Sequence, residues 1–172
     1  LAAQEIDLKT ATQYDSSQPL GIQEVSTETR GKLTLTDFTF ASPVDGSPIN
    51  AYLVSPTAEG SYAGVLFVHW LGDARTTNRT EFLDEAIEMA GKGTVSLLVD
   101  GMWAHGWFSS RNAAEDYEAS IKQVIELRRA IDVLIAQPNV DPDRLAIVGH
   151  DFGAMYGLTT AAADGRVGTV VF

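Results

Sequence analysis

Arg144-Leu145-Ala146-Ile147-Val148-Gly149-His150-Asp151-Phe152-Gly153-Ala154-Met155-Tyr156, followed by small residues to Ala162, is the stretch that decides the fold. Residues 145–148 are a short apolar run rich in β-formers. They meet Gly-His-Asp-Phe-Gly, and a helix-compatible segment follows. The order is strand, sharp turn, helix, with an ionisable side chain at the apex. Gly149 and Gly153 flank Asp151 symmetrically. Where a strand turns this abruptly into a helix, the central residue is forced into a strained conformation and the flanks leave no room for side chains. The apex side chain then stands at the carboxyl edge of a sheet, beside a helix N-terminus whose free N–H groups favour anions.

The rest of the chain extends this unit in both directions. After the turn and its helix, Asp164-Gly165-Arg166 leads into an apolar strand over 167–172. Before it, residues 113–137 carry Tyr117, Ile121, Val124, Ile125, Arg128, Ile131, Leu134 and Ile135 at helical spacing, and Pro138 ends the helix. Residues 94–99 predict a buried strand closing at Asp100-Gly101. The loop 102–111 behind it is dense in aromatic rings: Trp103, His105, Trp107 and Phe108. Residues 64–69 are a continuous apolar run between turn residues, the mark of a strand buried on both faces, and end in His69-Trp70-Leu71-Gly72-Asp73. A helix follows, with Asn78 and Glu81 at capping-box spacing, an apolar face of Phe82, Leu83, Ala86, Ile87 and Ala90, and Gly91 as its stop. Residues 32–40 alternate with period two, 43–48 turn, and 49–54 form a second strand, predicting an antiparallel hairpin. Residues 1–32 are polar and read as an N-terminal extension on the surface; Leu1-Ala2-Ala3-Gln4 fits a stub left by processing. Strands alternating with helices predict an α/β fold with a mostly parallel sheet. Residues 33–172 supply six strands of it.

Asp141-Pro142-Asp143-Arg144 before the strand, with Gly149-His150-Asp151-Phe152-Gly153 at the turn, resembles the α/β-hydrolase superfamily in its dienelactone-hydrolase-like and peptidase-like branch. The likeness runs from Leu33 to Phe172. It implies a three-layer sandwich of which this stretch lacks the last strands, and a nucleophile elbow with Asp151 as the catalytic residue. It implies hydrolysis of a small ester or lactone without a cofactor. The backbone amides of Leu71 and Phe152 would be the oxyanion donors, and the acid and histidine of a triad would follow the seventh and eighth strands, beyond Phe172. Two positions depart from the pattern. Such proteins usually carry Ser at the apex, whereas haloalkane dehalogenases and epoxide hydrolases, on the same fold, carry Asp. They usually carry Gly where Trp70 stands; the Trp70 indole N–H, only a donor, is instead suited to a leaving group. The Trp that follows the nucleophile in dehalogenases is here Phe152, whose side chain donates nothing.

A carboxylate, with an ordinary pKa of about 4, is already an anion near neutrality and attacks without a partner base; a serine needs one. Attack on a saturated carbon bearing halide, or on an epoxide, gives an ester that water cleaves. Attack on an ester carbonyl gives a mixed anhydride, a harder route. Three readings follow: an ester or lactone hydrolase, an Asp-nucleophile hydrolase of alkyl electrophiles, and a non-catalytic binding or scaffold protein in which Asp151 caps the helix. His69 and His150 adjoin strand ends as turn-shaping residues. With Trp70, Trp103, His105 and Trp107 they are the candidates to line a pocket, and Asp100 is expected to organise its loop.

Composition bounds the partners. The net charge of −11 repels nucleic acid and anionic membrane surfaces. The apolar run 64–72 is far too short to span a bilayer. With no cysteine there is no disulfide or thiol nucleophile, and histidines at 69, 105 and 150 lack metal-site spacing. No phosphate-loop or dinucleotide glycine pattern is present. The expected partner is a small-molecule substrate, with a homo-oligomer compatible with the composition and either a cytoplasmic or an exported location open.

Overall fold

The computed structural model describes residues 7–73 and 75–172; the processing-stub reading of residues 1–4 lies outside them. A single turn of helix, α1 (Leu8–Ala11), precedes the sheet. The strands are β1 (Gln23–Arg30), β2 (Leu33–Ala41), β3 (Pro48–Pro56), β4 (Tyr62–Val68), β5 (Thr94–Val99), β6 (Val140–Gly149) and β7 (Thr169–Val171). The helices between them are α2 (Leu83–Ala90), α3 (Ala113–Ile135) and α4 (Phe152–Ala163). Among the described residues the strands form a seven-stranded sheet in the order β1-β2-β3-β5-β4-β6-β7.

The sheet is mixed, with a parallel part of four strands and an antiparallel part at one side. β5, β4, β6 and β7 run parallel, while β1, β2 and β3 join antiparallel, β3 pairing with β5. The predicted hairpin is β2–β3, with Phe40 opposite Ile49. Beyond the six strands of residues 33–172, the segment expected as a peripheral arm contributes a seventh. Gln23–Arg30 pairs with β2 across a bulge near Glu24 and is exposed along its whole length. A strand with polar side chains on both faces carries no apolar periodicity, so only its partner reveals it. Glu and Arg along such an edge also discourage pairing with a further strand.

Strand alternation divides the core into two layers of contact. Leu66 and Val68 of β4 face α3 and α4 together with Leu97, Ile147, Leu127, Ile131 and Leu134. Val65 and Phe67 face the opposite way, against Ala86, Ala90 and Phe82 at α2. β4 is therefore buried on both sides, as its unbroken apolar run requires, and the helices make a three-layer sandwich. Asn112 begins α3 with a full capping box: its side chain accepts from Ala114 and Glu115 N–H, while Glu115 accepts from Asn112 N–H.

The buried face of α3 differs from the expected stripe. Tyr117 is exposed, and Arg129, outside that stripe, is buried to 1% exposure. Its guanidinium donates to the carbonyls of Ser16, Gln18 and Pro19 and to Asp132. Arg128 donates to Thr12 O at 2.6 Å, and Tyr14 donates to Asp132 at 2.8 Å. These polar contacts fasten residues 12–19 to α3, where little apolar area is available. Arg129→Ala releases the carbonyls of Ser16, Gln18 and Pro19 and empties a buried site on α3, while Asp132 keeps Tyr14 and Arg166, with an expected loss of about 3 kcal/mol in denaturant unfolding.

Burial, reinforced by the bond to Asp132, holds the Tyr14 hydroxyl protonated up to a pKa of about 12. The folded form thus binds this proton more tightly than an unfolded chain, whose tyrosine titrates near 10. The resulting stability is fully present below about pH 10 and is lost as pH rises through 12. Tyr14→Phe should remove that component from the alkaline unfolding profile, measured by circular dichroism against pH.

Candidate active site

β4, β5 and β6 end side by side, at His69, Asp100 and His150, and bring the residues singled out in the sequence to one sheet edge. Asp151 sits at the apex with φ 53° and ψ −113°, the one described non-glycine residue at positive φ. Its neighbours explain why that conformation persists. A Cβ on Gly149 would lie 2.4 Å from Gly153 O, and a Cβ on Gly153 would lie 2.0 Å from Val68 O. The strand and helix meet backbone to backbone, and the residue between them is levered outward.

The Asp151 side chain does not cap α4. It is exposed and accepts the Leu71 N–H at 3.3 Å through Oδ2. The apex carboxylate therefore meets one of the two amides expected as oxyanion donors. The other, Phe152 N–H, belongs to the first residue of α4, one of the amides an α-helix leaves without an intrahelical acceptor.

Leu71 N–H shares a planar peptide unit with Trp70 C=O, so anchoring the carbonyl fixes the direction of the donor. Two buried groups anchor it: His69 Nδ1 lies 2.8 Å and Trp103 Nε1 3.0 Å from Trp70 O. His69 Nε2 accepts Gly101 N–H at 2.9 Å, which leaves the ring proton on Nδ1, pointing to Trp70 O. Burial pushes the pKa of His69 below the usual histidine value and keeps it neutral, which suits a ring that must accept on one side and donate on the other. At 1% exposure His69 orients the loop and does not line an open pocket.

The remaining candidates separate in space. Trp103 is buried, stacked on Tyr156 at 5.4 Å and edge-on to Phe152 at 5.7 Å. It is part of the core beneath the elbow rather than a pocket wall. His105 and Trp107 stack on each other at 6.3 Å and, with Asp100, Met102 and Lys122, line a cavity of about 320 Å³ to which the elbow residues do not contribute. Asp100 organises its surroundings as expected: it accepts from Asn50 Nδ2 at 3.0 Å and Arg79 N–H at 2.9 Å. Trp70 and His150 lie flat on each other, with centroids 5.5 Å apart and planes 9° from parallel, exposed beside the apex.

Glu81 is the site residue that sequence reasoning misses. The expected capping box does not form, because α2 begins at Leu83 without a side-chain cap. Asn78 caps a local turn instead, accepting from Thr80 N–H at 3.0 Å. Glu81 Oε2 accepts Trp70 N–H at 2.7 Å, and Oε1 meets His150 Nδ1 at 2.7 Å. Its local spacing to Asn78 offered a sufficient explanation for a carboxylate whose partners lie 11 and 69 residues away. Among the described residues no group of three or more His, Cys, Asp or Glu is arranged to hold a metal, and no helix is long and apolar enough to cross a membrane.

A mixed sheet with helices on both faces and a strained strand-to-helix turn at the carboxyl ends of its parallel strands is the architecture of the α/β-hydrolase fold. Solved structures of that fold superpose on it. An acetyl xylan esterase from a Paenibacillus species matches 95% of this chain and 55% of its own, with a TM-score of 0.72 and 20% identity. Acetyl xylan esterase 1 from a Thermoanaerobacterium species matches the same shares, with a TM-score of 0.74 and 17% identity. A dienelactone hydrolase-like promiscuous phosphotriesterase from metagenomic libraries matches 83% of this chain and 59% of its own, with a TM-score of 0.62 and 20% identity.

In sequence the chain is similar to the quorum-quenching protein AidA of Acinetobacter baumannii, 28% identical over 123 residues that span 71% of this chain and 38% of that protein. It is also similar to 2,6-dihydropseudooxynicotine hydrolase of Paenarthrobacter nicotinovorans, 24% identical over 128 residues that span 74% and 32% respectively. The chain thus spans about a third of these curated relatives and about half of the two xylan esterases. No protein-family model matches it.

Proposed function

We propose that the chain carries the nucleophile half of a hydrolase for small ester- or lactone-type substrates, with Asp151 as nucleophile and the Leu71 and Phe152 amides as oxyanion donors. The observation that supports this most directly is the Leu71 N–H to Asp151 Oδ2 contact of 3.3 Å at the strained apex. One carboxylate oxygen is held by a backbone donor and the other is left to attack; on the ester route Leu71 N–H passes from Asp151 to the substrate oxyanion as the tetrahedral intermediate forms. On an ester, attack at the carbonyl expels the alkoxide and leaves an Asp151 mixed anhydride, which water opens to two carboxylic acids. The likeness to esterases and to a dienelactone hydrolase-like protein supports this substrate class. A triad acid and histidine, in this reading, come from the strands that follow in longer relatives.

A second reading rests on the residue type. A carboxylate in this position is suited to a saturated carbon: it displaces halide or opens an epoxide, forming an alkyl ester. Water then attacks the Asp151 carbonyl while Leu71 N–H supports the tetrahedral oxyanion. Single turnover in heavy-oxygen water, followed by mass spectrometry of the Asp151 peptide, tests both. Label in Asp151 is expected for the alkyl route and for anhydride opening at the aspartyl carbonyl; the product identity tells these apart. No product and no label with either substrate class would leave the third reading, a non-catalytic scaffold.

A further inference from the structure

Four contacts converge on the dipeptide that carries the oxyanion donor. Trp70 C=O is anchored by His69 and Trp103, Trp70 N–H by Glu81, and Leu71 N–H points at Asp151. The first two contacts set the orientation of the Leu71 donor. They leave a gap in the polar network between the Trp70 peptide and the elbow, which otherwise meet through Trp103 edge-on to Phe152 and the β4–β6 ladder ending at Val68 and Gly149. Glu81 is the group that crosses this gap: one oxygen holds the β4 loop at Trp70 and the other holds the elbow at His150, each at 2.7 Å. Glu81 itself is 17% exposed, while its partners Trp70 and His150 stand open to solvent. The face-to-face contact of Trp70 and His150 closes the same bridge a second time.

We propose that Glu81 is a positioning residue: by bonding Trp70 N–H and His150 Nδ1 at once, it sets the span between the Leu71 amide and the Asp151 carboxylate. This deepens the proposed active site, and its test does not depend on turnover. A carboxylate only accepts, so His150 must carry its proton on Nδ1. Glutamine has the same shape but one acceptor. Trp70 N–H can only donate and takes the amide oxygen, which turns the amide NH₂ toward His150. The bridge then survives only if the His150 proton moves to Nε2.

The experiment is nuclear magnetic resonance on the intact chain. Asp151→Asn is expected to shift the Leu71 amide proton in the parent and in Glu81→Gln, and to leave it unmoved in Glu81→Ala, where the span has opened. His150 nitrogen shifts should report the Nδ1–H form in the parent and the Nε2–H form in Glu81→Gln. A Leu71 response to Asp151→Asn that persists in Glu81→Ala overturns the proposal. So does an unchanged His150 tautomer in Glu81→Gln, which still decides the matter if Glu81→Ala fails to fold. In the kinetic arm, Glu81→Ala should lower kcat about 100-fold with little change in KM, as for a displaced transition-state donor. Turnover judges the proposed hydrolase, whose triad acid and histidine are expected from further strands, while the amide and tautomer shifts judge the bridge by themselves.

Discussion

Asp151→Asn should lower turnover by at least about 1,000-fold on any ester, lactone or alkyl electrophile that the parent cleaves, with the fold and thermal midpoint nearly unchanged. The amide is almost isosteric, and its oxygen can still accept Leu71 N–H, so the loop geometry is kept. What disappears is the negative charge that attacks. Stopped-flow or steady-state kinetics on the purified variant checks this, with circular dichroism confirming the fold. Full activity in Asp151→Asn would remove Asp151 from the chemistry. Asp151→Ser is the informative companion. Serine needs a base that a carboxylate does not, so a gain of esterase activity on that substitution would mean that only the apex departs from the serine pattern.

Gly153→Ala should be the most damaging single-methyl change in the molecule, costing on the order of 4 kcal/mol or preventing folding. Its Cβ would sit 2.0 Å from Val68 O and 2.7 Å from His69 O, both backbone atoms of the neighbouring strand end. Neither can rotate away, so α4 must lift off the sheet edge. Lifting α4 also carries the Phe152 amide away from the apex, and activity should fall further than stability alone predicts. Gly106→Ala is the control, since no atom lies within 4 Å of the added methyl, and it should fall within about 0.5 kcal/mol of the parent. Equal destabilisation of the two variants in urea would contradict this account of the elbow.

Much of the architecture is legible because both faces of the central sheet are covered. Burial on two sides demands apolar runs such as 64–68 and 95–99, the second interrupted by the buried Ser96, and these stand out. The elbow is legible for a related reason. Glycines at 149 and 153 are demanded by backbone contacts, so the constraint is written in residue identity. β1 is not legible, because an exposed edge strand bearing Gln, Glu, Ser, Thr and Arg has nothing to bury and is held by its hydrogen bonds to β2. Arg129 hides for the converse reason. An arginine on a helix reads as solvent-facing until the carbonyls of residues 16, 18 and 19 are seen to surround it.

The candidate site divides along the same line. The resemblance to the hydrolase elbow named Asp151, Leu71 and Phe152 as candidates, and topology delivers the carboxyl ends of the parallel strands that carry them to one edge. The division of labour among the aromatic and acidic side chains required coordinates. Trp103 proves to be core, His69 a neutral strut, His105 and Trp107 walls of another cavity, and Glu81 the link between two loops. Sequence by itself determined where the buried strands and the elbow lie, because burial and steric exclusion act on residue type at each position. Tertiary structure alone decided which polar atoms pair, because a hydrogen bond depends on tenths of an ångström between groups up to 80 residues apart, and no local pattern encodes that distance.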